Sequence, residues 1–149
     1  MKRILSTLIF TLSLVATSFE SSAYNGQVVK FKLADSKIYP GTTRNIKVYV
    51  PQEYDGKSPA CLWLSVSGGT FMYEILDKSI ADGDMPVTIG VFVDPGQIRD
   101  ANNNVLRYNR SNELDRMDGR YAEFLETEVL PAVSNHKTED GRQILISDR

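Results

Sequence analysis

Two short, almost uninterrupted apolar runs, Ala60–Val66 and Val87–Val93, constrain this chain more than any other feature. Runs of that length read as strands covered on both faces. Between them Met72, Ile75, Leu76 and Ile80 fall at helical spacing, and Asp82-Gly83-Asp84 closes the helix. Strand, helix and strand in such close succession imply a right-handed crossover and parallel pairing. Upstream, Val28, Val29, Phe31 and Leu33 alternate with Gln27, Lys30 and Lys32, and Ile46, Val48 and Val50 share one face of a second strand. With the turn Tyr39-Pro40-Gly41 between them, they read as an antiparallel pair at a sheet edge, ended by Pro51 because proline has no ladder donor.

Downstream, Asp94-Pro95-Gly96 opens a stretch expected to run as a long loop to about Met117. Asp118 is placed to cap a helix whose stripe is Tyr121, Phe124, Leu125, Val129 and Val133, and Pro131 is expected to bend or end it. Gln143-Ile144-Leu145-Ile146-Ser147 reads as a last strand. The expected class is α/β: an antiparallel N-terminal hairpin followed by parallel strands with crossover helices.

The first residues read as a targeting segment. Lys2 and Arg3 precede the apolar run Ile4–Val15, and Ser21-Ser22-Ala23 offers the small residues of a cleavage site. The run is shorter than the ~20 residues a membrane span needs. A signal peptide over 1–23 is therefore expected, with a single domain over 24–149 in a secreted or periplasmic protein that no membrane holds after cleavage. The net charge of −2 and the lack of any Lys/Arg block give no support to nucleic-acid binding. The single cysteine, Cys61, lies inside an apolar run, where a small buried side chain is expected. One His and one Cys make no dedicated zinc site. Asp82, Asp84, Asp94 and Asp100 match no calcium loop. No metal or cofactor is expected.

Several strings resemble a known family. Val48-Tyr49-Val50-Pro51 with Tyr54-Asp55, the stretch Met85-Pro86-Val87 through Asp94-Pro95-Gly96, and Asn109-Arg110-Ser111-Asn112-Glu113-Leu114-Asp115 are three of them. Arg120-Tyr121-Ala122-Glu123-Phe124-Leu125 and Glu128-Val129-Leu130-Pro131 follow in order. Together they resemble esterases of the esterase D / enterochelin esterase type, which have the α/β-hydrolase fold. The resemblance implies hydrolysis of carboxylic esters, small-molecule or carbohydrate-linked, by a Ser nucleophile, an acid and a His. It also places the nucleophile just after the strand that Ile144-Leu145-Ile146 begins. No G-x-S-x-G occurs in the 149 residues, so no catalytic residue is carried over. The expectation is the N-terminal half of such a domain, inactive alone. A sheet left with an unpaired edge would also make it poorly soluble or partly unfolded. The rival reading is a non-catalytic secreted module that binds carbohydrate or a partner through the Asp94–Met117 stretch.

Ser67-Gly68-Gly69-Thr70 follows the first apolar strand. At this place in the resembled fold a loop lends one backbone N–H to the oxyanion hole, and glycine lets the substrate oxygen approach. Gly68 and Gly69 are the oxyanion-loop candidates; Ser67 stands where the family usually has an acidic residue. Plain strand-to-helix turn chemistry is the competing reading. Arg110 and Glu113, with Asp115, are either a charged network at the site mouth or an ion pair that pins the loop before its helix. Ser65, Ser67 and Ser111 lack the elbow context of a nucleophile. His136, in a polar stretch after a helix, is expected at the surface.

Overall fold

The computed structural model describes residues 24–67 and 69–147. The targeting-like segment 1–23 lies outside the described residues. Seven residues of β1 (Gln27–Leu33) pair antiparallel with β2 (Arg44–Val50) in full register, Gln27 opposite Val50 and Leu33 opposite Arg44. The crossover also forms as the pattern dictates. β3 (Cys61–Val66) leads into α1 (Thr70–Ala81), and β4 (Thr88–Val93) returns parallel to β3. β4 inserts between β3 and β2, pairing antiparallel with β2, so the order is β1-β2-β4-β3. The fold is α/β, but the sheet is mostly antiparallel, with β3–β4 its one parallel pair of strands among the described residues.

Alternation decides what each face buries. Ile46, Val48 and Val50 of β2 and Ile89, Val91 and Val93 of β4 point to one side, where they meet Phe124, Val129, Val133 and Ile144. Tyr49 and Phe92 point to the other, against Tyr73 and Leu76 of α1. Complete burial of each such side chain contributes roughly 1.5–3 kcal/mol. Gly90 of β4 lets α1 close in: a Cβ there would lie 2.9 Å from Leu76 Cδ1 and 2.8 Å from the Phe92 ring.

Several expectations are corrected. β4 is covered on both faces, but β3 is the sheet edge. Trp63, Leu64 and Val66 keep 40%, 38% and 37% of their surface, and Cys61 is exposed rather than buried. The 94–117 stretch is not a structureless loop. It holds a small hairpin, β5 (Gln97–Arg99) with β6 (Val105–Tyr108), and a short helix, α2 (Arg110–Leu114). The hairpin turn is built by Asp100, whose Oδ1 accepts from Asn102 N (2.9 Å) and Asn104 N (2.8 Å). Next, Pro131 does not end its helix. α3 (Arg120–Phe124) passes through a wider π-type turn over Leu125–Val129 into α4 (Leu130–Ser134). The wider turn lies directly ahead of the proline, where an unbroken α-helix would set the ring against the preceding turn's carbonyl. Gly119 rather than Asp118 precedes α3, though Asp118 Oδ1 accepts from Arg120 N at 3.3 Å.

Last, 143–147 forms a bridge instead of a strand. Ile146 pairs parallel with Ala60: Ala60 N donates to Leu145 O (3.0 Å) and Ser147 N to Ala60 O (2.8 Å). Tyr54 clamps this segment, its hydroxyl donating to Gln143 O and accepting from Leu145 N, both at 2.9 Å. Residues 145–147 therefore run along the outer side of β3, in β3's own direction.

Candidate functional site

The parallel pair directs the C-terminal ends of β3 and β4 to one rim of the sheet. Because β2 is antiparallel to β4, its first residues, Arg44 and Asn45, arrive there too. Two loops emerge at this rim, one beginning at Ser67 and the other at Asp94.

Ser67 anchors the first loop by donating its N–H to Val93 O (2.9 Å), and its own carbonyl accepts from Ser65 Oγ (3.0 Å). Its φ of 64° is left-handed, a conformation that costs a non-glycine residue about 1–2 kcal/mol. Gly69 is the residue before α1, and a Cβ there would meet nothing within 4 Å, so contacts inside the chain do not demand glycine. Gly68, the other oxyanion-loop candidate, lies outside the described residues.

The second loop is held by a buried ion pair. The Arg44 guanidinium donates from Nη1 to Glu113 Oε2 (2.9 Å) and from Nη2 to Glu113 Oε1 (3.0 Å), with side chains 0% and 1% exposed. Nη2 also reaches Thr42 Oγ1 at 3.0 Å. The carboxylate accepts two more bonds, from Gly96 N (3.1 Å) and Asn109 Nδ2 (2.9 Å). Arg44 Cζ lies 4.2 Å from the centre of the Phe124 ring. Glycine is required at 96, since a Cβ would stand 2.5 Å from Glu113 Oε1. So Glu113 does not line a site mouth; it is interior and pins the loop to β2. Its partner is Arg44 rather than Arg110, which is exposed. The same burial and the Glu113 charge push the nearby Tyr121 hydroxyl up to about 12, burial being the larger cause.

Beside the first loop opens a cavity of about 650 Å³. Tyr24 and Tyr73, 5.2 Å apart and edge to face, form one side, with Gly69 at the rim. Lys30, Lys32, Asn45 and Lys47 of β1 and β2 supply its polar lining. Lys47 Nζ approaches Asp94 Oδ1 at 3.4 Å, and Asn45 Nδ2 approaches Asp94 Oδ2 at 3.5 Å. Burial, then the neighbouring Tyr24 and Asp94, raises the Tyr73 hydroxyl above its ordinary value.

The protein-family comparison yields no matching model, and the comparison with curated proteins yields no match. Solved structures do match. An uncharacterised protein from Capnocytophaga ochracea DSM 7271 is 20% identical with a TM-score of 0.51, over 82% of this chain and 31% of that one. A protein designated FAE is 19% identical with a TM-score of 0.50, over 86% of this chain and 42% of that one. A mutant of the feruloyl esterase module from Clostridium thermocellum, complexed with sinapinate, is 21% identical with a TM-score of 0.47, over 77% and 39%. The first two share this fold. This chain spans less than half the length of either.

The other candidates are not brought to the rim as a catalytic set. Ser111 is exposed at the start of α2. His136, expected at the surface, is half-buried on the opposite face of the sheet, where it stacks on Phe31 at 3.9 Å and its Nδ1 lies 2.8 Å from Ala132 O. Among the described residues no cluster of three His, Cys, Asp or Glu could hold a metal ion, and no helix is long and apolar enough to cross a membrane. Sequence reasoning missed Arg44 and the three lysines. The lysines' signal was present in the alternation of β1 and β2, but only the register shows that Lys30 lies opposite Lys47.

Proposed function

We propose that the chain supplies the oxyanion-loop part of an exported serine carboxylic ester hydrolase built on the α/β-hydrolase plan. The observation that carries this is the parallel bridge of Ile146 to Ala60 on β3's outer side. Strand residues alternate in which edge they serve. Cys61 N and Ser67 N donate toward β4, so Leu62, Leu64 and Val66 offer their backbone groups to the outer edge where Ile146 sits. A strand continued past Ser147 along that edge would end beside Gly69. A nucleophile on the turn after it would then meet an N–H from the 67–69 loop. One such donor contributes on the order of 3 kcal/mol in the transition state. The exposed Leu64 and Val66, and Trp63 on the opposite face, are apolar surface such a strand and its flanking helix would cover.

The esterase D / enterochelin esterase kinship rests on the motif strings alone, and export rests on the 1–23 segment. The buried Arg44–Glu113 pair serves this function by fixing the loop after β4 rather than by chemistry. The test is turnover of p-nitrophenyl acetate by the purified exported chain, together with a read of the coding DNA beyond Arg149. No turnover above buffer, with a G-x-S-x-G encoded shortly downstream in any frame, is the expected result. Turnover by this chain alone, or downstream DNA with no such motif, overturns the proposal.

A further inference from the structure

The cavity beside Gly69 carries a concentrated positive charge. Lys30 and Lys47 are directly opposite on β1 and β2, where Cβ atoms stand ~5 Å apart and like charges destabilise the pair. Lys32 lies two residues further along the same face, about 7 Å away. Among the described residues lining the cavity three are lysines and none is acidic. Asp94 offsets Lys47 from the rim, which still leaves more ammonium than carboxylate around the opening. Against this basic floor stands the Tyr24 ring, edge-on to Tyr73, which is itself buried and locked by stacking on Tyr49 at 5.1 Å and by an edge contact with Phe92. The volume of about 650 Å³ suits a small organic ligand.

We propose that this cavity binds a carboxylated sugar: the Lys30, Lys32 and Lys47 ammonium groups take the carboxylate, and the Tyr24 ring, backed by the buried Tyr73, takes the apolar side of the pyranose. A bound anion relieves the repulsion between Lys30 and Lys47, so binding and sheet stability are coupled. Lysine suits this role because a compact charge on a long stem can follow ligands of different length. The binding claim stands on the cavity alone. That the sugar is the carrier of the scissile ester, seated next to the Gly69 rim, rests on the esterase reading.

Calorimetric titration of the purified exported chain with trigalacturonate, maltotriose and sodium sulfate tests it. Trigalacturonate is expected to bind, more weakly as salt is raised, while maltotriose does not. Replacing Lys30→Gln together with Lys32→Gln is expected to weaken trigalacturonate about tenfold, two exposed charge contacts of up to ~1 kcal/mol each. Lys57→Gln, in a turn away from the cavity, leaves affinity unchanged. A circular dichroism melt of each variant verifies folding, and Asn45→Asp, which adds a negative charge to the lining, gives an independent loss. Equal binding of sulfate marks a non-specific anion patch and overturns the proposal, as does equal binding of maltotriose. Binding of none of the three does so too, leaving the lysines as guards of an edge strand. None of these readouts needs turnover, so their failure is distinguishable from failure of the esterase reading.

Discussion

Removing the Glu113 carboxylate should cost more stability than any other single change at the candidate site. In Glu113→Ala the Arg44 guanidinium, 0% exposed, keeps Thr42 Oγ1 as its remaining side-chain acceptor. Gly96 N and Asn109 Nδ2 lose their acceptor as well. Breaking a buried pair by deleting one partner costs about 3–5 kcal/mol, because the surviving charge stays desolvated. Against a typical domain stability of ~5–15 kcal/mol, that removes roughly a fifth or more of the total. The measurement is urea unfolding of the purified chain followed by circular dichroism. A cycle of Arg44→Met, Glu113→Leu and the two combined isolates the pair: the double variant removes both charges and leaves the Gly96 N–H and Asn109 Nδ2 orphaned, each worth ~1–3 kcal/mol. The double variant should therefore be more stable than Glu113→Ala, with about 2 kcal/mol of coupling between the two sites. A loss under ~0.5 kcal/mol in Glu113→Ala would refute the buried network, since that is the range of ordinary surface changes.

Gly96→Ala should destabilise by about 1–3 kcal/mol in the same assay, because its Cβ would enter the space of Glu113 Oε1 and of Arg44 Nη2, 2.9 Å away. The bond from Arg142, aided by one from Thr138, holds the Asp140 carboxyl at about 2 instead of 3.8. A depressed carboxylate stabilises above its unfolded value and loses that contribution as pH falls through its folded one. Asp140→Asn should flatten the acid dependence of unfolding between about pH 4 and pH 2, and an NMR titration should place the Asp140 midpoint near the lower end. Leu64→Lys puts a charge on the exposed edge of β3, and light scattering should show a larger monomer fraction; an unchanged fraction would mean that this edge does not drive association.

The local periods were legible and the neighbourhoods were not. Alternation in 27–33 and 44–50, and helical spacing in 72–80, are backbone properties that each segment writes into its own residues, so β1, β2 and α1 follow from them. Ala60–Val66 and Val87–Val93 are near twins in composition, yet β4 is wholly buried and β3 half open. What separates them is strand order, which no residue within either run encodes. Glu113 finds Arg44 across 69 positions, and a single sequence offers no reason to pair them rather than Glu113 with nearby Arg110. The Asp100–Asn104 turn is a different kind of miss. Its Asx chemistry was in plain view, and a three-residue β5 was too short to raise a strand signal.

The apolar character of β3 is therefore informative because the chain does not use it fully. A strand destined for a solvent edge is normally short, charged or bulged. β3 instead carries Leu62, Leu64 and Val66 on one face and Trp63 on the other, the composition of a strand with neighbours on both sides. The chain already begins to supply the second neighbour, since Tyr54 and the Ala60 backbone steer residues 145–147 onto that edge in the parallel sense. Direction matters here. An antiparallel neighbour would lead away from the 67–69 loop, whereas a parallel one leads toward it. The same bridge thus sets residues 145–147 against an otherwise unexplained apolar edge, running in the direction of the rim where Gly69, the lysine-lined cavity and the Glu113-anchored loop meet.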